Sequence, residues 1–389
     1  MIRRLMALAA ALWLWCGLGW SLAAEQQTAS TPEQLMQQLL EQQVDELDME
    51  QFDQYLQGET EQLLGGRDSR QVLWDILRGQ PLGEEQESLW SALWEWLRQQ
   101  LLGGLSGITQ ILAIILIGGL LSSLCSVDDP QSRRLATMIC GLCCVLASMS
   151  TFSGMAQQGI HAIERITDLV RVLVPVMAGV LIWGGRALSA TSMPVLVLGL
   201  CAVLNEIIKA IFLPLVYGYI AISCAGAAFE DRRFDGVADL LRSVAQWGLG
   251  LCFTIFAGLM SLQASSLRIA DNTIARTFKF AVGSFVPVVG RVLSDVSDIV
   301  LGCGNMISGG LGLFGILACL AVCGGPLLQA LVYSLLYRLL TAVSQISGSD
   351  GLSRVLQAFS GAFALLFALC AAVSTLFIIA FAMVAGGGR

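Results

Sequence analysis

The chain has 389 residues, of which 56% are hydrophobic and only 13% charged, a balance that excludes an ordinary soluble globular domain and points to a polytopic membrane protein. Its formal charge of -7 hides an asymmetry: the acidic residues crowd between residues 25 and 100, where Arg67, Arg70, Arg78 and Arg98 are the basic ones. The rest is mildly basic, without the footprint of a nucleic-acid binder.

In chain order, Arg3 and Arg4 followed by an apolar run to Trp20 and the small residues Ser21-Leu22-Ala23-Ala24 read as a secretory signal peptide over 1–24. An uncleaved first anchor is the alternative. Residues 25–100 then form a small acidic, extracytoplasmic domain whose apolar residues recur at helical spacing. Thr31-Pro32-Glu33-Gln34 supplies an N-cap, an N1 proline and a capping-box glutamine. A second start falls at Asp48, and a third helix runs from Ser69 through Ile76 to Gly79-Gln80-Pro81. So short a domain packs on the membrane portion or on a partner. Over 85–100, Leu89, Trp90, Leu93, Trp94 and Leu97 share one face, either a headgroup-belt helix or a core helix of the outside domain.

Residues 101–389 are the membrane domain, with about seven to nine spans at roughly 20 residues each. Nine spans fit 102–125, 135–155, 169–185, 187–205, 209–228, 243–263, 299–324, 326–346 and 358–385. Arg133 and Arg134 in the first turn favour the cytoplasm, which agrees with an exported N-terminal domain. The same count leaves Arg268, Arg276, Lys279 and Arg291 outside; a single crossing between Ala187 and Glu230 would invert everything after it.

Ionisable residues within apolar stretches mark candidate sites, because an unpaired charge in hydrocarbon costs several kcal/mol. Glu206 and Lys209 sit one helical turn apart and can pair, either lining a pathway or marking an interfacial turn. Arg338, within LVYSLLYRLLTAV, has no acid within four residues and calls for a partner on another helix, a lipid headgroup or a protein neighbour. Gly304, Ser308 and Gly312 repeat at four-residue spacing, a small-residue face for close helix packing. The stretch from Lys279 to Asp298 is too apolar for a soluble loop and too charged for a span. Phe280–Val289, broken by Gly283, Pro287 and Gly290, reads there as a short re-entrant or interfacial element, with Lys279, Arg291, Asp295 and Asp298 at the membrane surface.

No catalytic, cofactor or metal site is expected. The two lysines follow no GxxxxG pattern, so the chain has no phosphate-cradling loop of its own, and neither HExxH nor GxSxG occurs. Cys140, Cys143 and Cys144 read as small apolar packing residues, and His161 belongs to a polar helical face with Glu164, Arg165, Asp168 and Arg171.

The segments KFAVGSFVPVVGRVLSDVSDIVLG, the glycine-rich span after it, GGPLLQALVYSLLYRLL, the ISGSDG turn and the terminal apolar helix ending in GGGR together resemble the stage III sporulation protein AE family, over about residues 105–389. The likeness departs from the family pattern in lacking a lysine around Gly304–Gly310 and in its cysteine content. It implies an all-α, polytopic membrane helix bundle with a small N-terminal extracytoplasmic helical domain, seated in the mother-cell membrane facing the forespore. It further implies a role in a mother-cell to forespore channel complex, needed for endospore development and late forespore sigma-factor activity. The implied partners are other stage III sporulation membrane proteins, a separate secretion-type ATPase, a forespore membrane partner across the intermembrane space, and membrane lipid. A secondary transporter for a small solute is the competing reading, for which broken helices and intramembrane charges are the expected hardware.

Overall fold

The computed structural model describes residues 71, 76, 98, 109–117, 130–229, 233–285, 290–346 and 350–385, and among them there is no strand. The signal peptide and almost all of the acidic domain lie outside the described residues. Ile76 is an exception: it packs, half-buried, against the core of the membrane domain.

Six helices carry the architecture: α1 (Pro130–Trp183), α2 (Ala187–Ile207), α3 (Leu213–Phe229), α4 (Arg233–Phe285), α5 (Gly290–Ile346) and α6 (Asp350–Ala385), with a five-residue π-helical segment, Ile208–Phe212, joining α2 to α3. These are long. At 1.5 Å per residue the 54 residues of α1 extend about 80 Å, well over twice the hydrocarbon thickness of a bilayer. Among the described residues five helical runs are long and apolar enough to cross a membrane: those within α1, the continuous α2–α3 run, α4, α5 and α6.

Several expected boundaries are therefore not chain reversals. The cuts between 155 and 169, between 205 and 209, and between 324 and 326 each fall inside a continuous helical run. The physical reason is that a hydropathy profile cannot tell a polar turn from a polar stripe on a helix that keeps going. Gly283 does not break α4, which carries Lys279 and stays helical to Phe285, so residues 280–285 continue that helix rather than start a separate element; Gly290 opens α5, and Pro287 lies outside the described residues. Arg291, Asp295 and Asp298 sit on the first turns of α5.

The core is a seam of aromatic side chains drawn from four helices. Phe363 of α6 meets Phe152 of α1 at 5.4 Å between ring centroids and Tyr333 and Tyr337 of α5 at 5.1 and 5.0 Å; Phe152 in turn meets Tyr217 of α3 edge-on at 5.6 Å. Such offset and T-shaped pairs add about 0.5–1.5 kcal/mol each beyond the area they bury. α5 and α6 form an antiparallel hairpin, tied by a reciprocal pair of hydrogen bonds: Ser360 Oγ donates to the Ser334 carbonyl at 3.0 Å and Ser334 Oγ to the Ser360 carbonyl at 3.3 Å. Serines are suited to this position, because a small hydroxyl lets the backbones approach while satisfying itself on the neighbour. Gly315 lies directly under Phe381, whose ring fills the space a side chain would take.

Outward, α4 presents a long apolar stripe, continuous from Val237 to Leu262 and interrupted by polar residues beyond. Val237, Leu240, Val244, Trp247, Leu251, Ile255, Leu259, Leu262, Ile269 and Ile274 are all exposed. Along its second half the same surface also carries the exposed residues Ser265, Ser266, Asn272, Thr273 and Arg276.

Candidate functional site

A polar belt crosses the bundle near mid-length. On α1, Gln158, His161, Arg165 and Asp168 recur every three or four residues and so share one face. That face lines a cavity of about 590 Å³ whose opposite wall is Gly325, Pro326 and Gln329 of α5. The α5 wall is shaped by its own sequence: Pro326 has no N–H to give the carbonyl four residues back, and Gly324 and Gly325 before it add no side-chain bulk.

The third contribution comes from the π-helical segment. Its signature bond runs from the Leu213 N–H to the Ile208 carbonyl, five residues back, and Pro214 follows at once, removing the donor that would close the next α-helical turn. The inserted residue carries Lys209 to α1, where its Nζ donates to Glu164 Oε1. The other oxygen of Glu164 lies 3.2 Å from His161 Nδ1. Glu164 thus bridges a cation on another helix and an imidazole on its own, at the rim of the cavity. One turn further on, Arg171 Nη1 donates to Asp168 Oδ1 at 2.8 Å. Glu164 keeps 36% of its side chain exposed and Lys209 38%.

The expected partnership of Glu206 with Lys209 is not what forms. Both are exposed, yet the helical run does not turn there, and Lys209 reaches Glu164, 45 residues away in sequence. A spacing argument sees only neighbours on one helix; the π segment changes which face Lys209 occupies.

A second polar constellation holds the junction of α1 and α2. Gly185 takes φ of +73°, the left-handed region that glycine tolerates and other residues resist, and so ends α1 in a tight turn. Arg186, buried, donates through Nη2 to Asn305 Oδ1 of α5 at 2.7 Å. Asp271 of α4, also buried, accepts from the Leu188 N–H at 3.0 Å, the Ser189 N–H at 3.1 Å and the Ser189 hydroxyl. A carboxylate on a neighbouring helix therefore caps the start of α2, taking up orphan N–H groups and facing the positive end of the helix dipole. Sequence reasoning missed Asp271 in this role. The available signal was an acid in a helix otherwise dressed with serine and threonine, 82 residues from the helix start it caps.

The remaining sequence candidates are dispersed. Gly304, Ser308 and Gly312 are buried on one face of α5, and a side chain added at Gly184 would sit 3.5 Å from the Gly304 carbonyl carbon, so the α1–α2 turn and α5 approach closely there. Arg338 lies exposed on α5, eight residues before its end. Cys143 is exposed and Cys144 buried beside Ser148.

Comparison with known proteins now decides the family: the family model for stage III sporulation protein AE matches residues 68–388. The chain belongs to that family. Stage III sporulation protein AE of Bacillus subtilis (strain 168) is 26% identical over 320 residues, covering 82% of this chain and 79% of that relative. No solved structure matches. The polar belt, the π segment and the Asp271 cap all lie within the matched residues of this stage III sporulation protein AE family member, a multi-pass membrane protein by its apolar helices and a sporulation protein by descent.

Proposed function

We propose that this protein is a membrane component of the mother-cell to forespore transport complex, needed for endospore development and for late forespore sigma-factor activity. It sits in the mother-cell membrane facing the forespore with its acidic N-terminal domain outside the cytoplasm. Other stage III sporulation membrane proteins and a forespore membrane partner join it across the intermembrane space, and a separate secretion-type ATPase supplies the energy. What supports the reading most is one observation: a member of a sporulation family carries a polar cavity of about 590 Å³ at mid-length of an otherwise apolar bundle. Ionisable groups are expensive among membrane helices and are retained where water or a substrate passes. In this reading Glu164, His161 and Lys209 form the rim of the pathway, and the α4–α5 junction from Lys279 to Asp298 faces partner proteins.

A small-solute permease is the second reading, favoured by the ionisable residues that line a cavity between long apolar helices. The two are separated in an endospore-former carrying this chain as its sole family member. The variant Glu164→Gln/Lys209→Gln should complete engulfment and then lose late forespore gene expression, with the complex still recovered on purification. Normal spores together with a defect in uptake of a single solute would favour the permease; normal spores with no transport defect would sink both.

A further inference from the structure

At the end of the bundle where α4 starts, α5 ends and α6 starts, a separate cavity of about 290 Å³ is lined by Arg242, Arg338, Thr341, Gln345, Gln357 and Ser360. Its wall contains no carboxylate, and among the described residues neither arginine forms an ion pair. The nearest acid by sequence is Asp239, exposed one turn before Arg242 on α4. Thr341 and Ser360 spend their hydroxyl protons on the carbonyls of Tyr337 and Ser334, at 2.7 and 3.0 Å, so neither offers a proton to a ligand. The donors left facing the cavity are two guanidinium groups and two carboxamides. One turn before Gln357 on α6, outside the lining of the cavity, Arg354 holds its Nη1 buried and lacking an acceptor.

Two like charges converging on one open cavity repel each other unless an anion occupies the space between them. The volume is several times the roughly 30 Å³ of a water molecule, room enough for a tetrahedral oxyanion. Guanidinium forks match such oxygens in pairs, and the carboxamide NH₂ groups of Gln345 and Gln357 are further donors on the wall. Depth fits as well: Arg242, Arg338 and Gln357 lie nine, eight and seven residues from the ends of their helices, about 10–14 Å inward, within reach of a phospholipid headgroup. We propose that this cavity is a binding site for a phosphate-class oxyanion, supplied by an anionic phospholipid headgroup or by free phosphate. It is distinct from the mid-length cavity and does not depend on the transport reading.

The test uses the full chain in two arms. In the first, delipidated protein in neutral detergent is titrated with inorganic phosphate against chloride at equal ionic strength, following thermal unfolding by tryptophan fluorescence. In the second, protein in phosphatidylcholine vesicles with and without phosphatidylglycerol is re-extracted and its retained lipid measured by native mass spectrometry. Arg242→Gln/Arg338→Gln should weaken whichever arm is positive at least tenfold, while Arg276→Gln, elsewhere on α4, leaves it unchanged. Phosphate-dependent stabilisation identifies a free anion; selective phosphatidylglycerol retention identifies the headgroup. If the double variant does not fold, each single variant should weaken binding several-fold, and Arg338→Lys, which keeps the charge but loses the fork, should weaken it less than Arg338→Gln. No response in either arm for the unaltered protein, or a response that the Arg242 and Arg338 variants share in full, overturns the assignment.

Discussion

Replacing Asp271 by alanine should be among the most damaging single changes outside the aromatic core. The carboxylate accepts three hydrogen bonds at the start of α2, from two backbone N–H groups and one hydroxyl, and it is buried. An N-cap lost to alanine costs about 0.5–2 kcal/mol, and each buried donor stranded without an acceptor about 1–3 kcal/mol. The Ser189 hydroxyl can turn to another acceptor, but the Leu188 and Ser189 N–H groups are fixed by the helix. The expected loss is therefore about 3–5 kcal/mol for Asp271→Ala. Asp271→Asn keeps one acceptor oxygen while turning an NH₂ toward an N–H, and should lose about 1–3 kcal/mol. Ser189→Ala should cost about 1 kcal/mol, and less than that when Asp271 is already alanine, because the two share one interaction. Global stability is read by denaturant titration in detergent micelles, and the local effect by hydrogen exchange at residues 187–190. Protection there should fall before that of α5 and α6. If Asp271→Ala stays within about 0.5 kcal/mol of the unaltered protein with exchange at residues 187–190 unchanged, the cap in trans does not exist and the packing of α4 against α2 has been misread.

Other expectations follow from the same geometry. Gly185→Ala places a Cβ 2.6 Å from Leu301 Cδ2 at a φ of +73°, and should cost about 1–3 kcal/mol, measured as a lower thermal midpoint. Gly315→Ala drives a methyl to within 2.5–2.8 Å of the Phe381 ring and should cost a similar amount, partly recovered by Phe381→Leu. A double-mutant cycle between Glu164→Gln and Lys209→Gln should return a coupling of no more than about 1 kcal/mol, because over a third of each side chain is exposed; a coupling near zero would show that the link is not maintained. Pro326→Ala restores an N–H to α5 and should leave stability equal or higher while impairing complex function in the spore assay, the outcome that separates a site-shaping proline from a merely tolerated one.

The helical, multi-pass character of the protein was open to reading from the sequence because apolar runs of this length have no other stable home, and the family was open to reading from the run that begins at Lys279. The small-residue repeat at Gly304, Ser308 and Gly312 falls on a buried face, as its spacing requires. What sequence could not give is anything that joins distant helices. Lys209 was visible as an anomaly, but its partner Glu164 belonged to a stretch read only as a polar face. Asp271 was hidden because a cap in trans leaves no local spacing signature. The helix boundaries failed for a related reason: polar residues at 158–168 line a cavity on a helix that continues, and hydropathy averages over the direction in which side chains point. Arg338 was read as needing a partner elsewhere, and Arg242 beside it turns that need from a missing acid into a missing anion.

The apolar stripe of α4 has a consequence for what this protein can be on its own. From Val237 to Ile274 it runs 37 residues, about 55 Å, against about 30 Å of hydrocarbon. Hiding all of it in lipid would take a tilt of about 57°, beyond the roughly 0–40° that membrane helices adopt. Some 25 Å of oily surface is left over, and the end seeded with Ser265, Ser266, Asn272 and Thr273 is the end suited to leave the bilayer. For that remainder protein, rather than lipid, is the fitting cover, and the serine- and threonine-bearing end of α4 is where such a contact would begin.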